Sequence, residues 1–139
     1  VFQYLIGNTD FSPIKGVPGE SCCHNYVLMA SGEGKMLSIP YDFDVTGIVD
    51  APYATPNPRF RLRNVTQRLY RGRCANNEHL DSTLQLFRDK QQAIYDLLDS
   101  VPGLSSKSIK KARRYIAEFY STIDSPKRVD RYIVDKCLR

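Results

Sequence analysis

The stretch "NYVLMASGEGKMLSIPYDFDVTG" at residues 25–47 decides the fold class. Two short apolar runs, 25–30 and 35–41, flank "SGEG", and apolar runs joined by a glycine-containing turn form an antiparallel β-hairpin. The second run delivers Asp42 and Asp44, either side of Phe43, straight after a strand. Beyond residue 77 the period changes. In "EHLDSTLQLFRDKQQAIYDLLDSV" at 78–101, Leu80, Leu84, Phe87, Ile94, Leu97, Leu98 and Val101 recur at helical spacing, which predicts one helix with one apolar stripe. Pro102-Gly103 stops it. Ser105 or Ser106 caps a second helix to about Ile123, with Ile109, Ala112, Tyr115, Ile116, Phe119 and Tyr120 on its buried side. Ser125-Pro126 opens a third, ending near Cys137, with Pro at the first helical position. The expected class is therefore α+β, a short hairpin packed on a mainly helical bundle.

Upstream of the hairpin, residues 1–6 read as the last turns of a helix, stopped by Gly7 and Asn8, which both tolerate a left-handed backbone. That stop delivers Asp10 into a loop. The segment "FSPIKGVPGESCCH" at 11–24 is rich in turn-forming residues and predicts a long exposed insertion. The Pro-rich "DAPYATPNPRFRLRN" at 50–64 runs extended, since each Pro disfavours an α conformation at the residue before it. These parts make a single domain over 1–139: a loop-and-hairpin part at 1–55, an extended linker at 56–77 and a helical part at 78–139.

A chain of 139 residues, 42% apolar and 25% charged, matches one folded domain with one core. It has no run of eighteen apolar residues, so no membrane span is expected. Val1 opens inside an apolar run with no basic flank, which reads as a processed product or a fragment rather than a secretory signal. The formal charge of +5 is unevenly placed, because the first 58 residues hold two Lys and no Arg. Four cysteines occur without Cys-x-x-Cys spacing or a His pair, which argues against a structural zinc. A bridge from Cys22 or Cys23 to Cys74 would mean a periplasmic or secreted protein; free thiols would mean the cytoplasm. The sequon Asn64-Val65-Thr66 does not decide between them.

Asp10, Asn25, Asp42 and Asp44 all fall at the edges of predicted elements. Antiparallel pairing brings Asn25, at the head of the first strand, to the same end of the hairpin as Asp42, at the tail of the second. Two carboxylates and an amide oxygen are hard ligands, suited to Mg²⁺ or Mn²⁺ held together with substrate phosphates. Asp10 is then left to orient a hydroxyl. Phosphoryl transfer needs little more, since its catalysis is mostly positioning and charge neutralisation.

The pattern "GNTD…HN…PYDFD" resembles the carboxy-terminal lobe of atypical protein kinase-like folds, the CotH-like kinases and, more distantly, the HipA-like ones. The resemblance covers roughly residues 2–55. It implies Asp10 as the catalytic-loop residue, Asn25 as a metal-binding Asn, Asp42 as the metal-binding Asp of an Asp-Phe-Gly-like turn and Asp44 as a further metal ligand. It also implies ATP and Mg²⁺ as cofactors, a hydroxyl-bearing acceptor, and Asn8 and His24 as residues that orient the ligands. The chain departs from the family in three ways. Fourteen residues separate Asp10 from Asn25, no glycine-rich phosphate loop is visible, and no strand Lys precedes a helical Glu. The nucleotide-clamping lobe is therefore expected in an amino-terminal part outside this chain, leaving the chain catalytically incomplete. A pseudoenzyme is a further reading.

A different class of function rests on "RFRLRNVTQRLYRGR" at 59–73 and on Lys107, Lys110, Lys111, Arg113 and Arg114 of the second helix. Arginines interleaved with Phe60 and Tyr70 suit a nucleic acid or another polyanion. Arg68, Arg71 or Arg73 could instead hold a phosphate near the acidic site. His24 and His79 have no partner four residues on and read as hydrogen-bonded surface residues.

Overall fold

The computed structural model describes residues 1–16, 19 and 22–139. Val17, Pro18, Glu20 and Ser21, within the expected insertion, lie outside the described residues. In chain order come helix α1 (Phe2–Ile6), strands β1 (Tyr26–Ala30) and β2 (Met36–Pro40), and helices α2 (Leu80–Asp89), α3 (Gln91–Ser100), α4 (Ser106–Ile123) and α5 (Pro126–Tyr132). The fold is α+β, as the periodicities require.

The predicted helix boundaries at Gly7, Ser105 and Pro126 are where the sequence put them. Gly7 ends α1 with φ 67° and donates its amide back into the helix. Ser105 caps α4 by accepting from the Ser108 amide at 3.1 Å, and Pro126 begins α5. One prediction needs correction, because the helix expected over 78–101 is two helices hinged at Lys90 (φ −96°, ψ 3°). With the polar run "DKQQ" at 89–92, no large apolar residue lies between Phe87 and Ile94, so the stripe cannot hold both halves to one straight line. Leu84 is buried while Leu97 on the second half is 68% exposed.

The core gathers Tyr4 and Leu5 of α1, Leu80 and Leu84 of α2, Ile116, Phe119, Tyr120 and Ile123 of α4, and Ile133. Phe119 lies at its centre, fully buried against Tyr4, Phe87 and Tyr120. Helix α4 is the common partner, packing on α1, α3 and α5.

The hairpin pairs Tyr26 with Pro40 through Ala30 with Met36. It joins the rest through its base. Gln3 Nε2 donates to the Tyr26 hydroxyl at 2.9 Å, and Phe11 packs on the Tyr26 ring. Because register places Val27 beside Ile39 and Met29 beside Leu37, these four side chains share one face, and all four are exposed.

The expected bridge from Cys22 or Cys23 to Cys74 is not formed. Cys74 pairs with Cys137, Cα atoms 5.0 Å apart, and Cys22 pairs with Cys23, so no described cysteine is a free thiol. The cause is the path of the carboxy terminus. Cys74 N donates to Leu138 O at 2.9 Å and Leu138 N to Gly72 O at 2.8 Å, laying Cys137 alongside Cys74. The linker expected over 56–77 is not uniformly extended either, since it contains 3-10 helices at Pro58–Phe60 and, running past its end, Cys74–His79.

The Cys74–Cys137 bridge closes a loop across a sequence separation of 63, for which chain entropy alone gives about 4 kcal/mol. In guanidinium unfolding without reductant, Cys137→Ser should lose about 2–4 kcal/mol of stability relative to the parent chain. Equal midpoints would refute the pairing.

Candidate functional site

Asp10 is held from four directions. Gly7 turns the chain out of α1, and Asn8, 1% exposed, accepts the Asp10 amide on its Oδ1 at 2.8 Å. Arg71 lies between the Phe11 and Phe60 rings, and its Nη1 donates to Thr9 O (2.8 Å) and Phe11 O (2.7 Å), clamping the peptides on both sides of Asp10. Asn25 Nδ2 donates both to Asp10 O at 2.8 Å and to Asp10 Oδ2 at 3.1 Å. His24 Nε2 stands 3.0 Å from Asp10 Oδ1.

These contacts fix the Asn25 amide. Both groups facing its Nδ2 are oxygens, so nitrogen must point at Asp10 and Oδ1 is the atom left to accept. The carboxylate of Asp10, 38% exposed, keeps lone pairs open to solvent beside His24, 32% exposed.

The loop carrying Asp10 doubles back through a two-stranded clip. Ser12 N donates to His24 O (2.9 Å) and His24 N to Ser12 O (2.8 Å), which brings residue 25 beside residue 10 despite the fourteen residues between them. Tyr41 N donates to Asn25 O at 3.1 Å, so the end of β2 and Asp42 sit at the same end of the hairpin as Asn25. Cys23, Asn25 and Asp42 adopt positive φ (68°, 54° and 56°), a conformation that costs a residue such as Cys about 1–2 kcal/mol and Asn and Asp less. Such outliers cluster where surrounding structure over-determines them, and function is one reason they persist.

The acidic turn is tied to the same frame. Phe43 packs edge-on against Phe2, and Thr46, fully buried, donates from Oγ1 to Phe43 O at 2.7 Å. Gly47 N then donates to Gly7 O (3.2 Å) and Ile48 N to Ile6 O (3.1 Å), zipping the Asp42–Asp44 segment to the end of α1. Asp42 is exposed. Asp44 turns aside to accept the Tyr53 hydroxyl at 3.1 Å, and that bond, with the Asp44 charge, raises the Tyr53 pKa.

The structure therefore brings Asp10, Asn8, His24 and Asn25 into one hydrogen-bonded cluster and holds Asp42 at its hairpin end. It does not bring Asp44 into that cluster. Among the described residues no three His, Cys, Asp or Glu side chains assemble as a metal-binding group. The donor set still suits Mg²⁺, because Asn25 Oδ1 and an exposed Asp42 carboxylate are hard oxygens, and that ion takes one or two carboxylates and fills its shell with water and phosphate.

Sequence reasoning placed Tyr115 on a buried helix face and offered Arg68 to a phosphate, but missed that the two hold the site together. The Tyr115 hydroxyl reaches between Gly7 and Gly47, where a Cβ added to either glycine would lie 1.9 or 2.2 Å from it. Arg68 stacks on the Tyr115 ring, its Cζ 3.6 Å from the centroid, and donates to Tyr4 O, Leu5 O and Tyr115 O. Burial raises the Tyr115 pKa to about 12. Burial also lowers the pKa of Arg68 and Arg71, against the opposing pull of Tyr115 on the one and Asp10 on the other. The only sequence signal was the pair of glycines. Gly7 read as an ordinary helix stop.

Comparison with protein-family models, with curated proteins and with solved structures found no match.

Gly47→Ala should lower stability by roughly 2 kcal/mol in denaturant unfolding, since its Cβ would also stand 2.7 Å from Val65 O. Tyr115→Phe should be neutral or stabilising, because the Tyr115 hydroxyl is buried without a partner among the described residues. The folded pKa of Tyr115, about 12, lies above its ordinary 10.0, so its contribution is complete below pH 10 and lost as pH rises towards 12. Unfolding midpoints followed through that range should fall more steeply for the parent chain than for Tyr115→Phe.

Proposed function

We propose that this chain carries the acceptor-orienting and metal-binding half of a kinase-like site, which transfers the γ-phosphoryl of ATP to a hydroxyl. The observation that carries the reading is the Asn25 side chain bridging the Asp10 carbonyl and carboxylate at 2.8 and 3.1 Å. Asp10 orients the acceptor hydroxyl and takes its proton as the new bond forms. His24 and Asn25 hold the carboxylate in one orientation, which removes the need to order it during reaction. Asn25 Oδ1 and Asp42 hold Mg²⁺, with Asp44 able to join if it leaves Tyr53. When bound, Mg²⁺ with ATP supplies neutralisation of the phosphate charge. The apolar face of Val27, Met29, Leu37 and Ile39, exposed beside the site, supports the same reading, since a nucleotide-clamping lobe needs such a surface to close upon.

The competing polyanion reading is weakened at its first element. Arg68 and Arg71 bind main-chain carbonyls and stack on aromatic rings, so neither guanidinium is available to a phosphate. Its remaining support is the exposed Arg59, Arg61, Arg63 and Arg73 of the same segment and the outer face of α4, where Lys107, Lys110, Lys111 and Arg114 line one shallow groove.

Titration calorimetry of the intact gene product with Mg²⁺ and ATP should show binding that Asp42→Ala weakens at least about tenfold, the loss of about one charge-assisted contact. Asp10→Asn should keep that binding and abolish transfer. Equal ATP binding by the parent and Asp42→Ala proteins would sink the assignment. Binding to random-sequence DNA that falls steeply with salt would favour the polyanion reading instead.

A further inference from the structure

We propose that Cys22 and Cys23 form a reversible redox modification site that sets the order of the Asp10–His24–Asn25 contact; the inference rests on the phosphotransfer reading only for the activity it would regulate. The two residues are adjacent and joined to each other, so the bond closes a ring containing a single peptide link. A ring that small does nothing for long-range chain entropy, which is the role of Cys74–Cys137. Its effect is confined to the backbone of residues 22 and 23.

That backbone leads directly into the site. Cys23 has φ 68° and Asn25 φ 54°, and between them His24 is bound to Ser12 through both its amide and its carbonyl while its ring faces Asp10. Asn tolerates the left-handed region through its short polar side chain, whereas Cys has no such compensation. The closed ring limits the alternatives open to Cys23. With the ring open, Cys23 is free to return to negative φ, which redirects the chain as it enters His24.

Access favours this pair over the other. Cys22 is exposed, while Cys74 and Cys137 are both half-buried. The reductant is a dithiol. One of its thiolates attacks the Cys22 sulfur, forming a mixed disulfide and expelling Cys23 as a thiolate that takes a proton. The second thiol then displaces Cys22, which takes the other proton, and the reductant departs as its own disulfide. Two electrons pass to the protein, and an oxidised dithiol reverses the sequence.

The full chain, equilibrated in graded ratios of reduced to oxidised dithiothreitol, should be trapped with iodoacetamide and mapped by mass spectrometry beside amide hydrogen exchange. Cys22 and Cys23 should alkylate at ratios that leave Cys74–Cys137 intact, and exchange at the His24 amide should then quicken at least about tenfold. Cys22→Ser should show the fast exchange in every buffer while keeping the helical circular dichroism of the parent. Simultaneous opening of both bridges, or unchanged His24 exchange once residues 22 and 23 are alkylated, would overturn the proposal. Mg²⁺-ATP calorimetry on both redox forms of the intact gene product separates the two ideas. Binding by neither form refutes the phosphotransfer reading alone, with the exchange result still deciding the redox site; equal binding by both forms refutes the coupling.

Discussion

The Tyr115 side chain is the constraint on which the remaining geometry depends. Its ring carries the stacked Arg68 guanidinium, and its hydroxyl fills the notch where Gly7 and Gly47 meet. No side chain could be added at either glycine without displacing it. The end of α1, which launches Asp10, and the turn that follows Asp42 are thereby held against α4 at one point. Arg68 adds the second tie by donating to the last carbonyls of that short helix and to Tyr115 itself. A five-residue helix has little stability of its own, so α1 exists because these groups and the core hold it.

From that point the site follows by short hydrogen-bonded steps. Asn8 and Arg71 fix the peptides around Asp10, the Ser12–His24 clip returns the chain, and Asn25 closes the cluster. The supports come from segments far apart in sequence, so no one loop carries the geometry. Both arginines reach backbone oxygens from within a partly dry interior, where a charge-assisted hydrogen bond is worth more than at the surface. The basic excess of the carboxy-terminal part is in this respect structural as well as electrostatic.

How far the sequence could be read varied with the range of the interaction. Convergence of Asn25 and Asp42 at one end of the hairpin followed from antiparallel pairing, since a two-residue period and a turn leave no other arrangement. The meeting of Asp10 with Asn25 needed the clip, and only the excess of turn formers in 11–24 hinted at a chain that doubles back. The contact of Asp44 with Tyr53 was not legible, because Tyr53 lies nine residues on in a segment without period. Arginine alternating with apolar residues at 59–73 looks the same whether the guanidinium faces phosphate or a buried carbonyl, so the roles of Arg68 and Arg71 were not legible. The Cys74–Cys137 pairing was equally hidden, since it depends on where α5 and the chain end run after the last helix.

The sequence by itself determined the α+β class, the hairpin, the stops at Gly7 and Pro102-Gly103, the start at Ser125-Pro126, and the apolar stripe of α4. Each of these is a local matter of period, cap or turn chemistry, settled within a few residues. Only the tertiary structure decided the hinge at Lys90, the disulfide partners, the burial of Arg68 and Arg71 and the lodging of Tyr115 between two glycines. Most of these depend on which surfaces meet far apart along the chain, 63 residues for the Cys74–Cys137 bridge and 64 for Arg68 with Tyr4, where packing density and the need to satisfy buried carbonyls choose among arrangements that composition and period leave equivalent.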